Sequence, residues 1–137
     1  MNAHEWNWIA YIGAVSLVAL AGFVVGWLNR HWTILAASVT VFLLWGIPEV
    51  IVMHFDWYAP ALLYIAIDSV TAWVFRKRAP LFAATYALQA LLSATHLIAP
   101  WPAHDYWWRH SVTTWLQLAV LAGWIIFCEK KGCEDDV

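Results

Sequence analysis

Charge is what this chain has least of. Asp, Glu, Lys and Arg make up 12% of its 137 residues, about half the share of a soluble domain. Stretches of twenty residues and more carry no charge. That scarcity excludes a water-facing surface over most of the chain, and with 64% hydrophobic residues it makes hydrocarbon the fitting solvent. Clustered positive charge is also missing. Seven basic residues stand against nine acidic ones, for a net charge of -2, which excludes the basic face that nucleic acid requires. Cysteine is limited to Cys128, the last residue of the final apolar run, and Cys133 beyond it. The topology derived below puts them in a reducing compartment, so no structural disulfide is expected. There is no Gly-rich phosphate loop, no H-E-x-x-H pair, no Cys/His zinc pattern and no Ser/His/Asp set in a recognisable setting. Those absences argue against an enzyme. The first residues, Met1 to Glu5, lack the basic start of a secretory signal, so the apolar run behind them reads as a retained helix.

What is present is a series of apolar runs, each close to the roughly 20 residues that cross a bilayer as a helix. They cover about 8–28, 32–55, 57–75, 80–99 and 107–128. Arg30-His31, Asp56, Arg76-Lys77-Arg78 and His104-Asp105 separate them, and a short charged tail, 129–137, follows. Pro100 and Pro102 end the fourth run, because proline has no N–H to extend the ladder and restrains the residue before it. The expected fold is therefore an all-α integral membrane protein, a single domain over 1–137 formed by a bundle of five transmembrane helices.

If the runs alternate across a bilayer, Arg30, Arg76, Lys77, Arg78, Lys130 and Lys131 fall on one side and Arg109 alone on the other. Basic loops stay in the cytoplasm, so the N-terminus is expected outside and the C-terminus inside, as in a multi-pass protein of a bacterial-type inner membrane. Miscounting one run would scatter these residues over both sides, so the charges check the count independently. Of the twelve tryptophans, most lie near run boundaries, where an indole places its apolar body in lipid and its N–H in the headgroup layer.

The polar residues inside the runs carry the functional information, because an acid at the centre of a membrane helix costs about 2.5–3.5 kcal/mol even on the lenient insertion scale. They are Glu49, Asp68, Gln89, His96, His110 and Gln117. Asp68 is expected near the midplane with no Lys or Arg at its depth. It is therefore either protonated and donating a hydrogen bond, or facing water or a transient cation, with Gln89 and Gln117 as its natural partners. Thr85, Gln89, Ser93 and His96 recur at spacings of four, four and three, which puts them on one face of a helix. His110, Thr113, Thr114 and Gln117 do the same on the fifth run. Glu49, beside the helix-bending Pro48, shares the outer layer with His96 and His110. These three are the candidate ligands for a metal or haem, although neither is expected. Gly22-x-x-x-Gly26 marks a close helix contact, within the chain or between copies.

Three function classes follow as expectations. The leading one is an oligomeric channel or pore, proton- or small-cation-conducting or holin-like, with Asp68 as the titrating group in a polar path. The others are a redox or metal-binding membrane subunit using the outer histidines, and a non-catalytic assembly subunit of a larger membrane complex. The expected partners are the lipid bilayer and further copies or subunits.

Overall fold

A computed structural model describes the backbone of residues 3–54, 58–98 and 103–131 and, within these, the side chains of residues 6, 7, 9–44, 61–98 and 112–127. Among the described residues all regular structure is helical: α1 (Ala3–Leu28), α2 (Trp32–His54), α3 (Tyr58–Phe75), α4 (Pro80–Ile98) and α5 (Ala103–Lys131). Helix and apolar run do not coincide everywhere. α1 starts five residues before the apolar run, and α5 continues through Glu129–Lys131, which the sequence assigns to the tail. The backbone ladder needs only compatible φ/ψ, so a helix outlasts its apolar face wherever Ala, Glu and Lys follow.

Two stretches are long and apolar enough to cross a membrane, Ile9–Leu28 with 20 residues and Pro80–Ile98 with 19. Within the described residues the apolar stretches of the other three helices are shorter, Trp32–Leu44, Ala61–Phe75 and Val112–Phe127. Two of the five expected crossings thus meet the length requirement of about 20 residues.

The helices pack as two compact units. The first comprises Met1–Leu43 with Leu118–Val137, and the second Leu44–Gln117. In the first, α1 turns into α2 over three residues. The His31 N–H donates to the Gly26 carbonyl at 2.8 Å and the Arg30 N–H to that of Trp27 at 3.3 Å, while Arg30 takes φ 53°. These two bonds and the left-handed residue form a Schellman closure. The Asn29 side chain covers the Val25 carbonyl at 2.9 Å. His31 then starts α2: its Nδ1 accepts the Ile34 N–H at 3.2 Å, satisfying a donor that has no partner within the helix. Its ring meets Trp124 edge to face, centroids 5.4 Å apart.

In the second unit α3 packs against α4 through a turn of four residues. The Arg76 guanidinium donates to the Trp73 carbonyl at 2.6 Å and lies 3.5 Å above the Trp73 ring, closing the C-terminal end of α3 with positive charge. Pro80 opens α4, where its missing N–H leaves no bond unmade. Phe75, Phe82 and Tyr86 stack edge to face in sequence, each pair of centroids 5.1 Å apart.

Exposure is inverted relative to a water-soluble helical domain. Leu17 is 72% exposed, while Ser38, Asp68, Gln89, Ser93, Thr113 and Gln117 are buried. In water such a surface would bring molecules together. In hydrocarbon it is the surface that needs no partner, and the interior is where polar groups satisfy one another.

Candidate functional site

The site is organised by α4. Thr85, Gln89, Ser93 and His96 are all buried on it, with Phe82 and Tyr86, whereas Leu81, Leu88, Leu91 and Ile98 are exposed. Spacings of four, four and three keep the first set on one face of a 3.6-residue helix. A helix in water turns that face outward. α3 contributes Asp68 and Thr71, one turn apart and both buried, and α5 contributes Thr113 and Gln117 in the same relation. All eight belong to the second unit.

Most of these groups are satisfied within the protein. Thr71 donates to the Ile67 carbonyl at 2.8 Å and Thr85 to that of Phe82 at 2.6 Å. Such back-bonding lets a hydroxyl lie in a membrane helix without a second chain to bind it. Gln117 Nε2 donates to Gln89 Oε1 and ties α5 to α4. Ser93, His96 and Thr113 each make interactions of their own, while the Nε2 atom of His96 is buried with no hydrogen bond from the described residues.

Asp68 differs. It is 2% exposed, and its Oδ2 is buried without a hydrogen-bond partner among the described residues. Gln89 and Gln117, the partners expected from sequence, bond to each other, and Gln89 makes a further interaction of its own.

Glu49 and His110 fall in α2 and α5, but their side chains lie outside the described residues, as do those of Cys128 and His104. Of the three metal candidates His96 alone is described, buried on α4. Among the described residues no three His, Cys, Asp or Glu side chains come together as a metal site would need.

Gly22 and Gly26 lie outside this layer, in the first unit, and face α2. A Cβ on Gly22 would stand 1.9 Å from Ser38 Oγ, and one on Gly26 3.0 Å from the Leu35 backbone nitrogen. The close contact is thus between two helices of one chain. Sequence reasoning passed over Thr71 and Ser38. Thr71 sits one turn after Asp68, a spacing that could have flagged it. Ser38 shows no signal until α1 and α2 are set side by side.

Comparison of the chain with protein-family models, with curated proteins and with solved structures finds no match.

Proposed function

We propose that this chain is an integral membrane protein of five transmembrane helices, N-terminus outside and C-terminus in the cytoplasm. In this reading it forms oligomers in a bacterial-type inner membrane and carries protons or another small cation past Asp68. A holin-like pore belongs to the same class. The topology is supported by the segregation of six basic residues from one and by apolar surfaces on parts of all five helices.

One observation carries the transport reading: a nearly fully buried carboxyl group with an oxygen that no donor among the described residues reaches. A seam that only glues helices accounts for Gln89, Gln117 and the back-bonded threonines. It does not account for an acid with an unpartnered buried oxygen, which costs about 1–3 kcal/mol of desolvation. Acids retained inside membranes at such a cost are found along ion and proton routes. Thr85, Ser93 and His96 on α4 then provide hydroxyl and imidazole groups for water or a proton to follow.

The test is proton flux through the purified chain in liposomes under an imposed pH gradient. Wild type should conduct, and Asp68→Asn, nearly isosteric but unable to titrate, should lower the flux at least about tenfold, the factor that corresponds to 1.4 kcal/mol in the barrier, with no loss of thermal stability. Equal flux from the two proteins would overturn the assignment.

A further inference from the structure

The turn between α1 and α2 holds a residue in a conformation it does not favour. Arg30, with φ 53°, occupies the position where a Schellman closure takes glycine or asparagine, because a Cβ there crowds the following carbonyl. A backbone outlier of this kind is a reason to ask what the side chain does. That side chain is exposed. The equivalent basic residue in the α3–α4 turn, Arg76, is occupied by its own chain, stacked on Trp73 and bonded to the Trp73 carbonyl. Arg30 enters no such interaction among the described residues.

Next to it lies an open apolar groove of about 380 Å³, lined by Phe23, Val24, Trp27 and Leu28 of α1 and Leu35 of α2. From Phe23 to Leu28 the groove follows α1 for about 7.5 Å, at a rise of 1.5 Å per residue. It ends two residues before Arg30. Trp27 and Trp32 meet edge to face near this end, centroids 6.1 Å apart, and both are exposed. An apolar slot, an exposed indole pair and an unengaged guanidinium thus follow one another in the order in which a phospholipid presents its acyl chain, glycerol level and phosphate.

We propose that this groove binds one anionic phospholipid, with the first part of an acyl chain along Phe23, Trp27 and Leu35 and the phosphate on Arg30. Charge complementarity selects this occupant. A guanidinium pairs with a phosphate through two parallel N–H donors. A zwitterionic lipid answers the same phosphate with its own ammonium group, whereas an anionic lipid leaves its charge for the protein. The strained Arg30 is explained as a cation held at the mouth of the groove, which glycine would leave neutral.

The experiment is native mass spectrometry of the full chain in detergent, titrated with phosphatidylglycerol or phosphatidylcholine of identical acyl chains. Wild type should retain phosphatidylglycerol about tenfold better, the factor for one charge-assisted contact of about 1.4 kcal/mol. Arg30→Gly removes the guanidinium and supplies the residue that this φ favours, so its preference should vanish while its melting temperature holds or rises. Arg30→Lys should keep a preference for the anionic lipid. Leu35→Trp fills the slot and should reduce the adducts of both lipids. Equal retention of the two lipids by wild type, or an undiminished preference in Arg30→Gly, would overturn the proposal.

Discussion

In the first unit, α1 and α2 meet where side chains are smallest. Gly22 lies against Ser38, and Gly26 against the backbone of Leu35 and His31. The surrounding interior is apolar, with Val15, Ala19, Ile34, Ala37, Leu121 and Ile125 all buried. In the second unit the helices meet through amides, hydroxyls and a carboxyl group, from Asp68 and Thr71 to Gln89, Ser93 and Gln117. In the membrane setting proposed above, both units face the same problem, which is to hold helices together in a solvent as apolar as their own surfaces. Close van der Waals contact and interhelical hydrogen bonds are the two available means. The comparison shows which polar residues are explained by cohesion. In the first unit buried Ser38 bonds to the Ile34 carbonyl at 2.8 Å, and in the second the two glutamines bond to each other. Two buried atoms, Asp68 Oδ2 and His96 Nε2, have no hydrogen-bond partner among the described protein groups, and of the two the carboxyl oxygen carries the larger cost of burial.

Substitutions at three places would break or sharpen this contrast, each read as unfolding free energy in mixed micelles by tryptophan fluorescence. The largest effect is expected at Gly26. Its Cβ position is bounded by the Leu35 nitrogen at 3.0 Å and the His31 carbonyl oxygen at 3.2 Å, so α2 itself must move. Gly26→Leu should cost about 3 kcal/mol, the upper range for overpacking. Gly22→Ala meets a side chain instead, Ser38, so pairing it with Ser38→Gly should restore most of the loss. Wild-type stability in Gly26→Leu would mean that the first unit does not depend on close approach.

The middle effect has the opposite sign. Removing an unsatisfied buried acid relieves desolvation, so Asp68→Leu should raise stability by about 1–2 kcal/mol while abolishing flux. If Asp68 were glue, the same change would lower stability, and that result would merge the two kinds of seam into one. The smallest effect belongs to the glutamine pair. Gln89→Leu and Gln117→Leu should each cost about 1 kcal/mol, the scale of interhelical bonds in membranes. The double variant should cost less than the sum, because it leaves no amide without its partner. Strict additivity would mean that the bond carries no coupling.

Much of this molecule is legible along the chain. Apolar runs interrupted by Arg30-His31 and Arg76-Lys77-Arg78 mark the α1–α2 and α3–α4 turns, and the spacing of Thr85, Gln89, Ser93 and His96 marks the buried face of α4 before any neighbour is known. Other features have no linear signal. The strain at Arg30 cannot be read there, because an arginine gives no sign that it will close a helix where glycine is usual. His31 looks like a polar interruption, yet its ring caps α2 and packs on Trp124. The division into two units, with residues of α2 and α5 shared between them, likewise has no mark in the sequence.

Composition and periodicity determined by themselves that the chain is helical, that its outward surface is apolar, and which residues are too polar for their position. Those properties depend on the solvation of each residue and on the 3.6-residue repeat, both local. Tertiary structure alone decided that Gln89 and Gln117 satisfy each other, that Gly22 and Gly26 serve a contact inside the chain, and that Asp68 is left with a bare oxygen. A hydrogen bond belongs to two groups at once, and which pairs form is settled only when helices distant in sequence are brought within 3 Å of one another.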